Sequence, residues 1–304
     1  MDITKLDCID LDEPRLEGFT QFISAWVYRS AELTFLVDPG PLSTIPHLLA
    51  ELSRLGVEKL DYVLLTHIHI DHAGGTGELL KSYPEARVVC HPKGIRHMVE
   101  PEKLWQGSLK VLGRVAEVYG EIVPVPAAKI DFDESFAAGR LRAFLTPGHA
   151  QHHLCFLFDD ELLFGGEVVG VRSPVGKGKI YMRPATPPVF KLDVALDSID
   201  RMLALKPRYL VIAHYGLVEP AVEYLEIGRK QLELWVEGVR SNCMDESVDE
   251  TVAEERLFEW LLEHDSNYRL IRDLPPEVFA RERYFLGNTM RGMKGYLNSI
   301  AQSS

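Results

Sequence analysis

The sequence predicts an α/β protein with a helical extension at its carboxyl end. Over residues 1–216, short strand-like runs alternate with helical patterns, whereas beyond residue 216 the patterns are helical only. Histidine or acidic side chains stand directly after several of the apolar runs. Because the ends of parallel strands in an α/β layer meet at one edge, we expect these side chains to gather at a single site.

The predicted strands are short apolar runs bounded by turn signals. They cover 22–28, 33–37, 62–65, 87–90, 122–125, 141–145, 153–158, 162–164 and 209–213, and the runs 153–158 and 162–164 are predicted to form a hairpin. Apolar residues at helical spacing predict helices over 43–55, 74–83, 102–119, 192–203, 220–240, 247–264 and 276–300. Several glycines and prolines predict a long loop over 170–190. We divide the chain into a core, 1–240, and a helical cap or extension, 241–304.

Composition and charge exclude several classes of protein. The chain has 304 residues, of which 46% are hydrophobic and 26% charged, as in a folded globular enzyme and unlike a disordered protein. Its net charge of −12 disfavours a nucleic-acid partner. Four widely spaced cysteines indicate reduced thiols, and the acidic first residues do not resemble a signal peptide. No apolar run approaches the roughly 20 residues that span a bilayer, so we expect a cytoplasmic protein without a membrane partner.

The densest group of metal-binding side chain types follows the strand 62–65. His67, His69, Asp71 and His72 lie within six residues and offer the nitrogen and oxygen ligands that divalent transition metals accept. In a tight loop the first two histidines can turn toward one point, while Asp71 and His72 turn toward a second. The sequence therefore predicts ligands for two neighbouring ions.

Further side chains of the same types follow other predicted strands. His149 comes after 141–145, Glu167 after the hairpin, and His214 after 209–213. Asp38 ends the strand 33–37 in an Asp-Pro-Gly turn. Because all of these strand ends are expected at one edge of the layer, the four residues are candidates for the same site as the histidine cluster.

These motifs resemble those of the metallo-β-lactamase superfamily of metal-dependent hydrolases. The resemblance rests on H-x-H-x-D-H at 67–72, Pro-Gly-His at 147–149, an acidic residue after Phe-Gly-Gly at 167, and Ala-His at 213–214, and it covers about residues 20–216. It implies an αββα sandwich, in which two mixed sheets are flanked by helices.

The resemblance also implies two divalent ions, with zinc, iron and manganese left open. One ion would be held by His67, His69 and His149, and the other by Asp71, His72 and His214. Glu167 would stand where the family has a bridging aspartate, and Asp38 where a second acid orients a ligand histidine. The extra methylene of Glu167 extends the carboxylate by about 1.5 Å, whereas metal–oxygen distances tolerate about 0.2 Å, so the backbone or the coordination must adjust.

A hydrolase of a small-molecule ester, thioester or lactone is the function that the resemblance implies. Its ions would supply a hydroxide near neutral pH and polarise the substrate carbonyl, and Asp71 would orient that hydroxide and pass its proton to the leaving group. The motif at 66–75 together with His153 resembles the hydroxyacylglutathione hydrolase (glyoxalase II) branch. The helical tail resembles that of the alkylquinolone-signal response thioesterase, whose tail helices cap its active site.

Two other functions stay open at this point. A mononuclear iron persulfide dioxygenase uses the same scaffold but needs only one occupied site, so His72 and His214 argue against it. An effector protein that acts through its helical tail would account for the departure at Glu167. A homodimer is also left open.

The tail and the loop 170–190 carry further candidate residues. An apolar stripe in the tail would either cap the site or form ordinary core, and its members are Tyr284, Phe285, Met290, Met293 and Tyr296. In the loop, a group of polar and basic side chains either contacts a substrate carboxylate or, for its lysines, is solvated, and its members are Lys177, Lys179, Tyr181 and Arg183.

Overall fold

Two six-stranded sheets share a core in the computed structural model, which describes residues 1–176 and 178–302. The strands are β1 Leu6–Asp10, β2 Ser24–Arg29, β3 Thr34–Val37, β4 Tyr62–Leu64, β5 Arg87–Val89, β6 Ile130–Asp131, β7 Ser135–Phe136, β8 Leu141–Leu145, β9 Leu154–Phe158, β10 Leu162–Phe164, β11 Val171–Pro174, β12 Ile180–Arg183, β13 Tyr209–Ile212 and β14 Gly216–Val218. The first sheet has the order β1-β2-β3-β4-β5-β6, the second has the order β14-β13-β10-β9-β8-β7, and β11 and β12 form a separate hairpin.

Both large sheets are mixed, as the sequence predicts. In the first sheet, β3, β4, β5 and β6 are parallel, and β1 and β2 add antiparallel neighbours. In the second sheet, only β10 and β13 pair in parallel. Aromatic side chains such as Phe35, Phe156 and Phe164 fill the space between the sheets and are completely buried. Their burial fixes the two sheets face to face.

Helices cover the outer faces of both sheets. They are α1 Ile45–Arg54, α2 Ile70–Ala73, α3 Thr76–Ser82, α4 Pro92–Val99, α5 Glu102–Leu112, α6 Arg114–Tyr119, α7 Leu192–Ala204, α8 Ala221–Cys243, α9 Glu250–His264 and α10 Pro276–Ala301. The apolar sides of α1, α3 and α4 pack on the first sheet, and those of α7 to α10 pack on the second. This arrangement is the predicted αββα sandwich with a helical extension.

Two predicted elements differ in the structure. Residues 122–125 form no strand, because Pro124 has no N–H to donate and Val125 donates its own to Met98 O (2.9 Å). The predicted helix 102–119 is divided into α5 and α6 at Gly113, whose φ of +51° places it in the left-handed region.

The loop prediction for 170–190 was wrong in part. This segment contains the antiparallel hairpin of β11 and β12, in which Val171 pairs with Arg183. Strand β14 continues the second sheet beyond residue 216, where the sequence shows no further strand signal. Four further elements were not predicted because their sequence patterns are too short or too polar, and they are β1, β6, β7 and α4.

The helical tail and the second sheet share one hydrophobic core. Leu257 of α9 and Met290 of α10 belong to the same buried cluster as Leu163 of β10 and Ile212 of β13. Helix α8 runs through residue 240 and ends at Cys243. The division at residue 240 stays a prediction. Within residues 1–176 and 178–302, none of the helices has the length and apolar character that crossing a membrane requires.

A buried ion cluster ties α10 to the hairpin. Glu282 of α10 is fully buried and accepts hydrogen bonds from Arg183 Nε (2.5 Å), Arg281 Nε (2.9 Å) and Tyr181 OH (3.0 Å). Tyr181 and Arg183 are therefore buried and hydrogen-bonded to Glu282, and Arg183 also lines a large cavity beside α5 and α10. Lys179 lies 3.7 Å from Asp273, and Lys177 lies outside the described residues. Three of the four predicted loop residues thus have partners within the fold, and contact of this group with a substrate carboxylate stays a prediction.

The charge of Glu282 is maintained by its neighbours. Burial alone would raise the pKa of Glu282, but Arg183 and Arg281 outweigh burial and lower it from 4.5 to about 2. Glu282→Gln leaves two buried guanidiniums without their carboxylate, so we expect the free energy of unfolding at pH 7 to fall by about 3–5 kcal/mol. Urea unfolding measures this difference, with the exposed Glu263→Gln on α9 as the control.

The stability difference should depend on pH with a defined sign. The depressed pKa stabilises the wild-type fold above about pH 4.5, and this stabilisation is lost as the pH falls toward 2. Since the glutamine variant lacks this titration, the gap between the two proteins should narrow over that range. A gap that stays constant from pH 7 to pH 3 would contradict the assignment of a charged Glu282.

Candidate metal centre

The candidate ligands meet where strands of both sheets end. Asp38 follows β3, His67 lies three residues beyond β4, Glu167 follows β10, and His214 follows β13. His149 stands four residues after β8, and His69 caps the short helix α2, which carries Asp71 and His72. All the residues that the sequence singles out for the site are thus brought together in the structure.

Four ligand atoms form a first cluster. They belong to His67, His69, His149 and Glu167 and lie within 4.8 Å of one another. His149 Nε2 lies 2.9 Å from His69 Nδ1 and 3.0 Å from Glu167 Oε2, and His67 Nε2 lies 3.2 Å from the same carboxylate oxygen. Ligands at about 2.0–2.1 Å around a tetrahedral ion are separated by about 3.4 Å. The spacing therefore suits a small divalent cation.

Three ligand atoms form a second cluster beside the first. His72 Nε2 lies 3.1 Å from His214 Nε2, and Asp71 Oδ2 lies 3.4 Å and 3.3 Å from these two nitrogens. Apart from Glu167, which joins the first cluster, the two clusters contain the same residues as the two ligand groups that the family resemblance implies. Three protein ligands leave further coordination positions for water or substrate.

Hydrogen-bond partners on the outside fix which ring nitrogens face inward. His149 Nδ1 donates to Ala185 O (2.9 Å), and His214 Nδ1 donates to Phe22 O (2.7 Å). These bonds place the proton of each neutral imidazole on Nδ1 and leave the Nε2 lone pair directed into the site. A histidine that donates from its outer nitrogen to a carbonyl is the usual support of a metal ligand.

Asp38 supports two of the candidate ligands from behind. It accepts hydrogen bonds from Thr66 N (2.8 Å) and Thr66 Oγ1 (2.7 Å), while that hydroxyl lies 3.1 Å from His67 Nδ1. The Asp38 carboxylate also lies near the second candidate ligand, with Oδ2 3.4 Å from His72 Nδ1. His67 Nε2 is left buried, without a hydrogen-bond partner among the described residues, and facing Glu167. An unpaired lone pair opposite a buried carboxylate fits a cation between them.

The electrostatics of the second cluster favour a positive charge. Burial alone would lower the pKa of His72, but the carboxylates of Asp71, Asp38 and Glu167 raise it well above its usual value. Burial likewise would raise the pKa of Asp71, yet His72 and His214 lower it well below its usual range. The donor set therefore fits a divalent cation, which supplies that charge with Asp71, His72 and His214 all deprotonated.

Glu167 spans both clusters despite its longer side chain. Besides its contacts in the first cluster, Oε2 lies 3.5 Å from His72 Nε2, and Oε1 lies 3.8 Å from His214 Nε2. The preceding Gly166 has a φ of +53°, and a Cβ there would lie 2.5 Å from His153 Nε2. The backbone just before Glu167 therefore lies close to His153, at the place where the side chain is one methylene longer than the aspartate of the family.

Two neighbouring histidines lie at the site without joining either cluster. His153 lies 2.9 Å from Thr146 Oγ1 through Nδ1 and accepts from Glu167 N (3.0 Å) through Nε2, so both of its nitrogens are occupied. Burial and nearby His149 lower its pKa to about 3. His152 stacks edge-on against His69 with ring centroids 5.4 Å apart. Adjacent histidines at 152 and 153 are visible in the sequence, but only His153 belongs to the motif that carries the family resemblance.

Helix α10 reaches the second cluster through one aromatic ring. Phe22 stacks on His214 with centroids 4.3 Å apart, and the Arg281 guanidinium lies 4.0 Å from the centroid of the Phe22 ring. Arg281 Nη1 also donates to Gly18 O (2.5 Å). The segment that holds His214 from behind is therefore clamped by the tail, a contact that the sequence does not indicate.

The tail also forms one wall of a cavity above the clusters. This cavity of about 700 Å³ reaches the ligands His69, Asp71, His149, Glu167 and His214 at its floor. From the predicted apolar stripe of α10, only Phe285 lines it. Met290 and Met293 are core residues, Tyr296 packs against that core, and Tyr284 is exposed. Of the predicted stripe, Phe285 therefore lies over the site, whereas Met290, Met293 and Tyr296 belong to the core or pack against it.

Removal of one ligand should distinguish the two clusters. We expect His69→Ala and His214→Ala each to reduce the number of tightly bound divalent ions by one, because each deprives a different cluster of an imidazole. Elemental analysis of protein dialysed against metal-free buffer measures this number. His97→Ala, which changes a cavity residue outside both clusters, is the control, and an unchanged number in either ligand variant would contradict the assignment.

The ring of Phe22 should affect the second cluster selectively. In a His69→Ala background, we expect Phe22→Leu to weaken ion binding by about 10-fold or more, because the imidazole of His214 loses its stacking surface while its carbonyl partner remains. Competition with a chelator at pH 7 measures the affinity. Phe19→Leu alters a neighbouring buried ring without contact to His214, so an equal effect of the two changes would indicate general loosening instead.

Comparison with known proteins agrees with this architecture. The family model described as metallo-beta-lactamase superfamily matches residues 19–214. The metallo-beta-lactamase fold-containing protein ST1585 of Sulfurisphaera tokodaii is 32% identical over 255 residues, which are 74% of this chain and 93% of that protein. Its crystal structure superimposes with a TM-score of 0.69 at 28% identity and covers 95% of this chain and 98% of that one.

Two further relatives extend the comparison. Protein TTHA1429 of Thermus thermophilus has a TM-score of 0.69 at 20% identity over 98% of this chain and 94% of that one, and it shares the fold. An atrochrysone carboxyl ACP thioesterase of Aspergillus fumigatus is 28% identical over 215 residues, which are 69% of this chain and 57% of that protein. With the family model matching more than half of its length, the chain belongs to the metallo-β-lactamase superfamily.

Proposed function

We propose that the protein is a metal-dependent hydrolase that cleaves a small-molecule carbonyl ester, thioester or lactone. The observation that carries this proposal is the pair of adjoining ligand clusters at the floor of a large cavity. Ligand nitrogens with inward lone pairs, two carboxylates and open coordination positions suit two divalent ions. The cavity volume of about 700 Å³ lies within the usual range for small-molecule sites.

A thioester is the substrate type that the relatives favour. Two fungal proteins named atrochrysone carboxyl ACP thioesterase, from Aspergillus fumigatus and Claviceps purpurea, are 28% and 32% identical to the matched parts of this chain. The chain spans only 57% and 47% of the lengths of these two proteins, so we do not assign their complete activity to it. Their names support carbonyl–sulfur cleavage as the first reaction to examine.

The residues of the chain divide the work at the cavity floor. Divalent ions, when bound, lower the pKa of a water ligand and polarise a carbonyl oxygen. Asp71 keeps about 18% of its side chain exposed and lines the cavity, and its lowered pKa keeps it ionised at neutral pH. Its carboxylate can orient the attacking water and accept its proton, which can then pass to the leaving thiolate or alkoxide.

Hydrogen bonds hold the candidate ligands at the cavity floor in fixed positions. His149 and His214 are anchored through Ala185 O and Phe22 O, and Glu167 is anchored by its N–H on His153. A reacting carbonyl placed between the clusters would therefore meet groups whose positions are set before binding. Such preorganisation is the main source of electrostatic stabilisation in hydrolytic sites.

A substrate panel tests the proposal directly. We expect the metal-loaded protein to hydrolyse at least one class among acyl thioesters, aryl esters and lactones, and Asp71→Asn or His69→Ala to lower kcat/KM by about 100-fold or more. Release of free thiol, phenol or acid measures the rate. Glu263→Gln on α9 serves as the control, and a loaded protein that hydrolyses no member of the panel would refute the proposal.

A further inference from the structure

The walls of the cavity above the metal centre come from helices rather than from the sheets. Its lining comes in large part from α5 and α6, from α10, and from the segment 185–188. Helix α5 is unusual because none of its residues is buried, although five of its eleven residues are apolar. Leu104, Trp105 and Leu112 pack partly buried against the core of the first sheet, and Leu104, Val111 and Leu112 also line the cavity.

The lining above the ligands is largely apolar. Leu104 and Leu112 of α5 and Val115 of α6 face the cavity from one wall, and Phe22 and Phe285 face it from the opposite direction. Val111 also lines the cavity, and 60% of its surface is exposed. Exposed apolar surface of this kind, inside a concave site, indicates a ligand with an apolar body.

Two lysines on the same helix provide positive charge beside this apolar surface. Lys103 and Lys110 both line the cavity, and their spacing of seven residues places them on one side of α5. Within residues 1–176 and 178–302, neither lysine lies within ion-pair distance of a carboxylate. Two arginines also line the cavity, but each is paired with a carboxylate, Arg183 with Glu282 and Arg291 with Glu250 (3.1 Å).

The charges of the lining contrast with those of the whole protein. Among the described lining residues the acidic side chains are Asp71 and Glu167, and both belong to the ligand clusters. The chain carries a net charge of −12, which repels anions over most of its surface. Unpaired lysines at the large cavity above the metal centre therefore create a local exception that favours an anionic group.

We propose that this cavity selects an amphiphilic anion: an acyl ester or thioester whose apolar chain lies against Leu104, Val115 and Phe285 and whose carboxylate or phosphate is bound by Lys103 and Lys110. The proposal rests on the proposed function because it places the scissile carbonyl at the metal centre. The anion can belong to the far end of the acyl chain or to the phosphate of a carrier arm. Both positions use the same lysine chemistry.

Binding of uncleavable analogues tests the selection without turnover. The probes are three thioethers with equal alkyl chains: S-decyl-N-acetylcysteamine, S-decyl-phosphopantetheine, and S-(9-carboxynonyl)-N-acetylcysteamine. We expect one or both anionic probes to bind about 5- to 10-fold more tightly than the neutral one, with an advantage that decreases as salt is added. Isothermal titration calorimetry on the metal-loaded full chain measures the affinities.

Matched variants identify the residues responsible. In Lys103→Gln/Lys110→Gln the preference for the anionic probes should disappear while affinity for the neutral probe is retained, and the exposed Lys230→Gln on α8 should leave all affinities unchanged. Preference for the phosphate probe alone assigns the anion to a carrier arm, and preference for the carboxylate probe alone assigns it to the acyl end.

The outcomes separate this proposal from the proposed function. Equal affinity for the three probes, or a preference that survives in the double variant, would overturn the selection even if the matching thioesters are hydrolysed. If the preference for the anionic probes depends on the two lysines but no thioester is hydrolysed, the proposed binding site would be supported and the proposed hydrolase function would be refuted. Both proposals are supported if the corresponding thioesters are hydrolysed, the anionic thioester has the lower KM, and this difference in KM disappears in the double variant.

Discussion

The need for positive charge among buried carboxylates and inward-facing imidazoles is the constraint on which the site depends. His67 Nε2 and Glu167 Oε2 face each other at 3.2 Å, and His67 Nε2 finds no hydrogen-bond donor in the described chain. Burial of such groups costs free energy unless a cation joins them. The outer partners, among them Asp38 and the carbonyl of Phe22, therefore position lone pairs that only a proton or a metal can satisfy.

The tail contributes to this site through packing and not as a separate attachment. Its helices share a core with the second sheet, and Glu282 holds Arg281 where it covers Phe22. Because Phe22 in turn supports His214, the position of α10 and the position of a candidate ligand are coupled mechanically. Deleting the tail would expose this core, so a truncated chain cannot separate a role of the tail in binding from its role in folding.

The sequence predicts that the candidate ligands lie together, because their signal is local. A histidine or acid after an apolar strand is visible in a short window, and parallel strands place such residues at one edge, as His67, Glu167 and His214 show. The hairpin β11–β12 was missed because its pairing depends on glycines within a segment typical of loops. The contact of Phe22 with Arg281 joins positions far apart in the chain, and no local pattern encodes it.

Floor and walls of the cavity differ in how firmly they are anchored. The floor follows the ends of central strands, where His67 and His72 are fully buried, so its geometry changes only if the sheets change. Helix α5 buries none of its residues, and a Cβ at Gly107 or Gly113 would meet nothing within 4 Å. Elements with few buried contacts open at low free-energy cost. The candidate ligands are therefore held by strand ends, while the proposed substrate selection depends on a helix whose apolar residues are only partly buried.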